Sequence, residues 1–445
     1  MKEFIIIFLL FSLSVFPQKH GKKDSPLPVK SDVIGRISQW SLEDLEKYAV
    51  KNNPLYLAEK RNIGMARGDL ITATLWRNPV IAYQQQFMKL SGTNTGNIFA
   101  NLMSIDPSSG GPPEYAPNFT WDIDVNGIYS QRTKVASQAL KAQISEFSDF
   151  DRLFRLRIRQ YYWLYLYILE LVSFQKEFYE NYNELLEMNK YRMERGDIAP
   201  LEYERLELEK LRIEKEYKDT EILRAQAEKE LLFLMGVFQT SNKKLAFKDK
   251  LKFHNTQELS LNVKDYSIDD RPDLASLKYQ ALQNQLAIDL QKKENGFLNF
   301  LTIGGETRRK GQEQYAGVFA SMPLKIFDRG QGEILKAQEK HKKSLLQIEA
   351  KKRQILTEIQ AAIKELKSRE ELLQYYRKIN LYEKNKNVQE KYRLAYIRGA
   401  SNLVSFLEAE KNYLNFLKSY YEQIYLYYNS IEVFRAAIGK LGSNN

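Results

Sequence analysis

Few residues of the sequence have the type and spacing that chemistry requires. The three histidines, His20, His254 and His341, lie far apart, and none has a second ligand at a metal-binding spacing. Gly304-Gly305 and Gly330-Gln331-Gly332 could cradle a phosphate, but no Lys-Ser/Thr pair accompanies them, so strand ends explain them better. No serine or cysteine nucleophile motif is present. We therefore predict no catalytic residue, no metal site, no cofactor and no enzymatic activity.

The strongest pattern in the chain is a duplication. An Arg-Gly turn at Gly196 recurs at Gly399, and an apolar stop at Gly236 recurs at Gly439, both 203 positions later. A repeat at a fixed offset reports the architecture before any local motif does. Each half contains a helix, an extended region, a long helix, a glycine turn and a return helix.

Each half begins with helical patterns of ordinary length. Ser41, with Asp44 three positions later, predicts a capped helix that ends near Asn52. Pro54, a favoured first-turn residue, predicts a second helix to about residue 76. Arg271-Pro272 opens the corresponding helix of the second half, which is predicted to end near residue 297.

Much longer helices follow. Neither glycine nor proline occurs in residues 131–195 or 333–398, which predicts two unbroken helices of about 65 residues, each roughly 100 Å long. Residues 201–235 and 403–438 predict antiparallel return helices of about 50 Å. The apolar run 161–169 predicts a helix-packing face, because Gln160 and Glu170 bound it.

Extended segments interrupt the helical pattern before each long helix. Phe119, Trp121, Ile123 and Val125 alternate with polar residues, which in a strand places the apolar side chains on one face. We interpret these four residues as a lipid-facing strand. The predicted strands cover residues 79–90, 118–128, 298–309 and 314–326.

Targeting and charge indicate the compartment and the partners. Lys2 precedes an apolar run, residues 4–16, that suits the core of a signal peptide and is too short to span a membrane. The net charge is +11, but the basic residues alternate with glutamates, as in residues 207–216, which is typical of a solvated helix face. We therefore predict an exported protein that does not bind nucleic acid.

A membrane contact would have to use the strands. No segment has the 18 to 20 apolar residues of a membrane-spanning helix. Backbone groups in hydrocarbon are satisfied only in helices or closed barrels, and four strands cannot close alone. Several copies of the chain must then contribute to one barrel.

Several short motifs in one order carry a family resemblance. They are Leu42-Glu43-Asp44-Leu45, Asn53-Pro54, Asn78-Pro79, Arg271-Pro272-Asp273-Leu274, the run from Pro323 to Gly330, and both glycine turns. Over residues 40–442 the chain resembles the TolC-like outer-membrane efflux proteins. The resemblance implies a mainly α protein with a membrane β-barrel: a homotrimer with a 12-stranded barrel, four strands from each chain, and a periplasmic α-barrel tunnel of long antiparallel helices.

The resemblance also implies partners and site residues. A closed tip, turned at Gly196 and Gly399, opens when a periplasmic adaptor and an inner-membrane pump of the RND or ABC type dock. In the family, residues at the positions of Glu202 and Tyr396 help to hold neighbouring helices shut; the family's arginine two residues past the second turn is Ser401 here, and Arg398 could substitute. Of two acidic rings at the tunnel entrance, Glu408 would keep one, while Ser405 replaces the other.

The predicted organisation has six parts. They are a signal peptide (1–20), an N-terminal extension (21–40), a first repeat (41–236, hairpin about 79–130), an equatorial linker (237–268), a second repeat (269–440, hairpin about 298–326) and a tail (441–445). The predicted function is a passive exit duct for efflux or type I secretion, in contact with outer-membrane lipid. An exported coiled-coil scaffold without a channel is the alternative, and an envelope hydrolase would need a nucleophile or metal cluster.

Overall fold

A computed structural model describes residues 40–86, 114–237, 245, 247, 249–254, 267–297, 299–310 and 312–441. The predicted signal peptide, nearly all of the N-terminal extension, His20, and parts of the first hairpin, the linker and the tail lie outside these residues. The helices are α1 (Leu42–Asn52), α2 (Pro54–Thr74), α3 (Ile128–Glu194), α4 (Pro200–Met235), α5 (Pro272–Glu294), α6 (Gln331–Lys378), α7 (Leu381–Ile397) and α8 (Leu403–Ala437). The strands are β1 (Val80–Gln86), β2 (Glu114–Asp124), β3 (Phe300–Lys310) and β4 (Glu313–Ser321).

The predicted start of α1 is confirmed. The Ser41 side chain accepts a hydrogen bond from the Asp44 backbone, and the Asp44 carboxylate accepts one from the Ser41 N–H at 3.1 Å. This reciprocal capping box satisfies backbone donors that a helix start otherwise leaves without partners.

The two halves join their helices end to end in the same way. Asn53 caps α2 and donates to the carbonyls of Phe233 and Leu234 at 3.1 and 2.9 Å, at the end of α4. Arg271 precedes α5 and donates to the carbonyl of Ala437 at 3.2 Å, at the end of α8. Gly236 allows the first junction, because its φ is +73° and an added Cβ would lie 2.7 Å from the Asn52 carbonyl oxygen.

Helix α3 is the longest helix of the described chain, and four other helices pack along it. It is unbroken over 67 residues, as predicted, and is therefore about 100 Å long. Helices α2 and α5 pack along its first part, and α4 and α8 pack along its second part. The predicted packing face is confirmed, because Tyr162, Tyr165 and Leu166 are buried in the largest core cluster.

The second long helix differs from the prediction. Instead of one helix over residues 333–398, α6 ends at Lys378 and α7 begins at Leu381. Between them Asn380 adopts a left-handed conformation with φ +50°, and it is the one non-glycine residue of the described chain with a positive φ. Asparagine tolerates this conformation better than most residues, so a helix can stop there without glycine or proline.

The four strands form one antiparallel sheet in the order β1-β2-β3-β4. Phe119 of β2 lies opposite Ile81 of β1 and Gly305 of β3, and Gly305 lies opposite Val318 of β4. Both hairpins thus join side by side at the end of the helices. Within the described residues, no helix has the length and apolar character that crossing a bilayer requires.

Candidate functional sites

The tip of the helical region is formed by two turns of identical design. Gly196 and Gly399 have φ values of +83° and +73°. After each glycine the next N–H donates back across the last helical turn, from Asp197 to the Arg192 carbonyl and from Ala400 to the Ala395 carbonyl. This is the Schellman motif, which satisfies the last carbonyls of a helix and reverses the chain.

Tyr396 lies inside the tip. It is 4% exposed, and its hydroxyl donates to Asn189 Oδ1 of α3 at 3.0 Å. Its ring stacks on Phe406 at 4.8 Å between centroids, and the Arg192 guanidinium lies 6.0 Å from the ring centre. Burial raises the pKa of the Tyr396 hydroxyl, with a smaller contribution from the nearby Glu202 carboxylate. Tyr396 therefore ties α7 to α3 within one chain.

The other two residues of the predicted clasp lie closer to solvent. Glu202 is half-buried in the first turn of α4, where a carboxylate interacts favourably with the helix dipole. Arg398 is the exposed C-cap residue of α7. The charge of Glu202 thus acts on the Tyr396 hydroxyl, whereas Arg398 lies on the surface of the turn.

Two neighbouring glutamates of α8 have opposite environments. Glu408, the predicted ring residue, is exposed, whereas Glu410 is only 5% exposed. Gln389 of α7 donates to Glu410 Oε1 at 2.6 Å. A charge that must interact with passing ions needs access to water, so Glu408 has the required exposure and Glu410 does not.

One face of the sheet is apolar and exposed. Phe119, Trp121 and Ile123 lie on it, with the exposed Ile81, Ile303 and Val318 beside them in register. Val318 is 92% exposed. The fourth residue of the predicted lipid-facing set, Val125, lies just beyond β2, which ends at Asp124.

The opposite face of the sheet carries most of its charged side chains, although the apolar Val80 and Phe319 also lie on it. Asp122 accepts from the Thr302 hydroxyl at 2.6 Å and pairs with Arg77 at 3.0 Å. Arg308 pairs with Glu114 at 2.9 Å. A strand with one apolar and one charged face can separate lipid from water.

Two further surfaces are left without a partner within the described part of the chain. Strands β1 and β4 are the edges of the open sheet, each paired on one side. Helix α4 exposes a row of apolar side chains away from α3: Leu201, Leu208, Leu211 and Ile222, which are 55 to 67% exposed. Open edges and apolar rows of this kind mark interfaces with other chains.

Sequence reasoning missed Asn189 as the partner of Tyr396. Asn189 is completely buried and follows Gln175 and Tyr182 at intervals of seven residues along α3. Polar residues at a buried heptad spacing are the signal that could have found it.

The chain shares its fold with solved outer-membrane channels. The Campylobacter jejuni CmeC outer membrane channel matches with a TM-score of 0.73 and 17% identity over 96% of this chain and 91% of that one. The outer membrane protein VceC of Vibrio cholerae gives 0.68 and 14% over 89% and 96%. The open state of the Neisseria gonorrhoeae MtrE outer membrane channel gives 0.68 and 15% over 90% and 89%.

The likeness lies in the fold rather than in the sequence. No protein-family model matches the chain, and no curated protein matches it by sequence. The long helices and the four-stranded sheet predicted from the sequence are confirmed for one chain, and together they have the fold of these solved channels.

Proposed function

We propose that this protein is an outer-membrane exit duct of a tripartite efflux pump or a type I secretion system. The observation that carries the proposal is the two-faced, open-edged sheet at the end of a helical body about 100 Å long. The fold likeness to channels such as CmeC and MtrE supports it.

The sheet supports a barrel built from three chains. Its apolar face suits lipid and its polar face suits a water-filled lumen. Strands of 7, 11, 11 and 9 residues match or approach the 9 to 11 that a tilted strand needs to cross the hydrocarbon. Pairing of β1 with β4 of the next copy would remove both open edges, and three copies would give 12 strands.

The helices support a tunnel below that barrel. The exposed apolar row of α4 needs a cover, and a neighbouring copy of the chain supplies one when three copies surround an axis. Charged residues of α4 flank the row, with Lys210 and Lys218 among its glutamates, so the surface is amphipathic. A homotrimer would bury it and leave the lumen wet.

The tip would be the periplasmic entrance. Gly196 and Gly399 turn the chain there, the Glu202 charge acts on the buried Tyr396 hydroxyl, and Glu408 is exposed in the first turns of α8. Three copies of Glu408 around a narrow mouth would favour cations. The partners would be a periplasmic adaptor and an inner-membrane pump of the RND or ABC type, which supply the energy.

This function needs no catalysis. The chain would be a conduit rather than an enzyme, placed in the outer membrane with its helices in the periplasm. Residues 41–236 and 269–440 would be the two repeats of each subunit, and 237–268 the linker between them. A coiled-coil scaffold in water would leave the apolar face of the sheet uncovered.

The test is assembly and conduction. The full chain, extracted in detergent, is expected to be a trimer by light scattering corrected for bound detergent and to form ion channels in planar bilayers. A double substitution on the apolar face, Phe119→Lys with Val318→Lys, should abolish membrane insertion, because each lysine at the bilayer centre costs about 2 to 4 kcal/mol. Gln347→Lys, at an exposed position of α6, is the control and should insert normally. A monodisperse, water-soluble monomer without detergent would rule out the duct.

A further inference from the structure

Helix α8 packs with a strict seven-residue repeat that contains one exception. Two heptad series face the neighbouring helices, as in a coiled coil. One series is aromatic, and the other is aliphatic except for Glu410. The first comprises Phe406, Tyr413, Tyr420, Tyr427 and Phe434, and the second Leu403, Glu410, Leu417, Ile424, Ile431 and Ile438.

The exception lies at a junction of three helices. Gln389 of α7, itself 8% exposed, donates to Glu410 at 2.6 Å. Tyr182 of α3 is 3% exposed, and its hydroxyl has no hydrogen-bond partner within the described residues. Burial raises the pKa of that hydroxyl, and the Glu410 charge raises it further.

The charged groups around this junction do not neutralise Glu410. The Arg393 charge of α7 acts on Glu410. Glu209 and Arg212 of α4, which form an ion pair with each other, act on Tyr182. In the described part of the chain, no cation lies within ion-pair distance of Glu410. A buried carboxylate without a counter-ion favours its neutral form.

We propose that Glu410 is a proton-operated latch that holds α7 against α8 and α3 when it is neutral and loosens α7 when it is ionised. One proton is bound or released at one carboxylate oxygen, and no covalent bond changes. Helix α7 suits such a movement, because the left-handed Asn380 precedes it and the Gly399 turn follows it. Gln389 supplies the contact that transmits the change from α8 to α7.

The direction of the pH effect follows from the burial. Burial raises the pKa of Glu410 from 4.5 to about 6, and the hydrogen bond from Gln389 and the charge of Arg393 lower it by less. The packed state therefore binds this proton more tightly than a loosened state does. The stability that this proton gives the packed state is fully present below the ordinary pKa of 4.5 and is lost as the pH rises through about 6. Between pH 5 and pH 8 the packing equilibrium should shift about tenfold toward the loosened state.

The test measures hydrogen exchange in α7 of the purified full chain in detergent, corrected for the intrinsic pH dependence of amide exchange. Protection of residues 381–397 should fall about tenfold from pH 5 to pH 8 in the wild type. Glu410→Gln keeps the shape and removes the charge, so its protection should not change with pH. Glu408→Gln, two residues away and exposed, is the control and should behave like the wild type.

Two results would overturn the latch: a wild type whose α7 protection does not change with pH, or a Glu410→Gln variant that keeps the wild-type profile. Should Glu410→Gln fold poorly, Glu410→Leu restores the aliphatic series and must also give a flat profile. The latch rests on the fold alone, and only its effect on the tunnel mouth rests on the proposed function. Single-channel conductance that does not vary with pH, alongside the expected exchange profile, would reject that effect and leave the latch standing.

Discussion

The two long helices of the molecule start from the same plan and end differently. Each follows a left-handed glycine, Gly127 or Gly330, and each reaches its tip glycine after the same number of residues. Helix α3 covers this distance without a break, whereas the second half divides it into α6 and α7 at Asn380. The position of the first half that corresponds to Asn380 is Glu177, which is exposed in the middle of α3.

A duplicated fold can thus contain one unbroken long helix and one that is divided in two. Helix α3 carries packing partners along its whole length, while α7 packs mainly on α8. A break in α3 would disturb many contacts, and a break before α7 disturbs few. The half with the divided helix also contains the buried Glu410, so the proposed latch lies in the same half as the helix that it would release.

The largest expected effect concerns the junctions that join the helices of each half. Arg271 is 2% exposed and pairs with Asp273 at 2.6 Å and Glu358 at 2.7 Å. Arg271→Ala removes the buried guanidinium and leaves the buried Asp273 carboxylate with Lys351, at 3.0 Å, as its remaining cation. The loss should therefore lie near the lower end of the roughly 3 to 5 kcal/mol that breaking a buried ion pair costs. Asn53→Ala removes the uncharged hydrogen bonds at the junction of the first half and should cost about 1 to 3 kcal/mol.

The shift of the thermal unfolding midpoint in detergent measures both losses. Arg353→Ala is the control, because Arg353 is 78% exposed and its ion pair should contribute about 0 to 1 kcal/mol. Equal losses for Arg271→Ala and Asn53→Ala would mean that the two junctions are energetically alike.

A smaller effect on stability is expected at Asn380, between α6 and α7, and the opposite order of effects is expected at the corresponding position of α3. Asn380→Ala places an alanine at a positive φ and should cost about 1 kcal/mol, whereas Asn380→Gly should cost little. In the unbroken helix the order reverses, because Glu177→Gly should cost about 1 kcal/mol and Glu177→Ala almost nothing. Thermal unfolding of the four variants checks the pattern, and an Asn380→Ala variant more stable than Asn380→Gly would refute the left-handed joint.

The smallest effect on stability, and a clear effect on function, is expected at the tip. Glu408 of the second half corresponds to Arg205 of the first, and both are exposed. Three Glu408 carboxylates roughly 8 Å apart would repel by about 2 kcal/mol per pair before salt screening at an effective dielectric near 20, which favours bound cations. Glu408→Ala should therefore weaken cation selectivity without changing the unfolding midpoint.

Reversal potentials across a salt gradient measure that selectivity. Glu422 is an exposed carboxylate of the same helix, about four turns farther from the tip than Glu408. Glu422→Ala is therefore the matched control and should leave the potential unchanged. Identical potentials for the wild type and Glu408→Ala would remove Glu408 from the entrance.

The duplication, the unbroken helix α3 and the glycine turns were predictable from the amino-acid sequence alone. These features depend on local chemistry: glycine at a positive φ ends a helix, proline starts one, and alternating residues make a two-faced strand. The capping box at Ser41 and the turns at Gly196 and Gly399 were predictable because each needs only residues close in the chain.

Which polar residues are buried, and which long helix is divided, could not be predicted in this way. Glu408 and Glu410 are alike in sequence, and packing against α7 and α3 alone separates the exposed carboxylate from the buried one. Nothing in the sequence around Asn380 marks it as the end of a helix, since neither glycine nor proline lies nearby. Asn189 accepts a hydrogen bond from the Tyr396 hydroxyl, and the two residues are 207 positions apart in the chain. Burial, partner and backbone conformation at these positions depend on contacts between distant segments, which local preference does not encode.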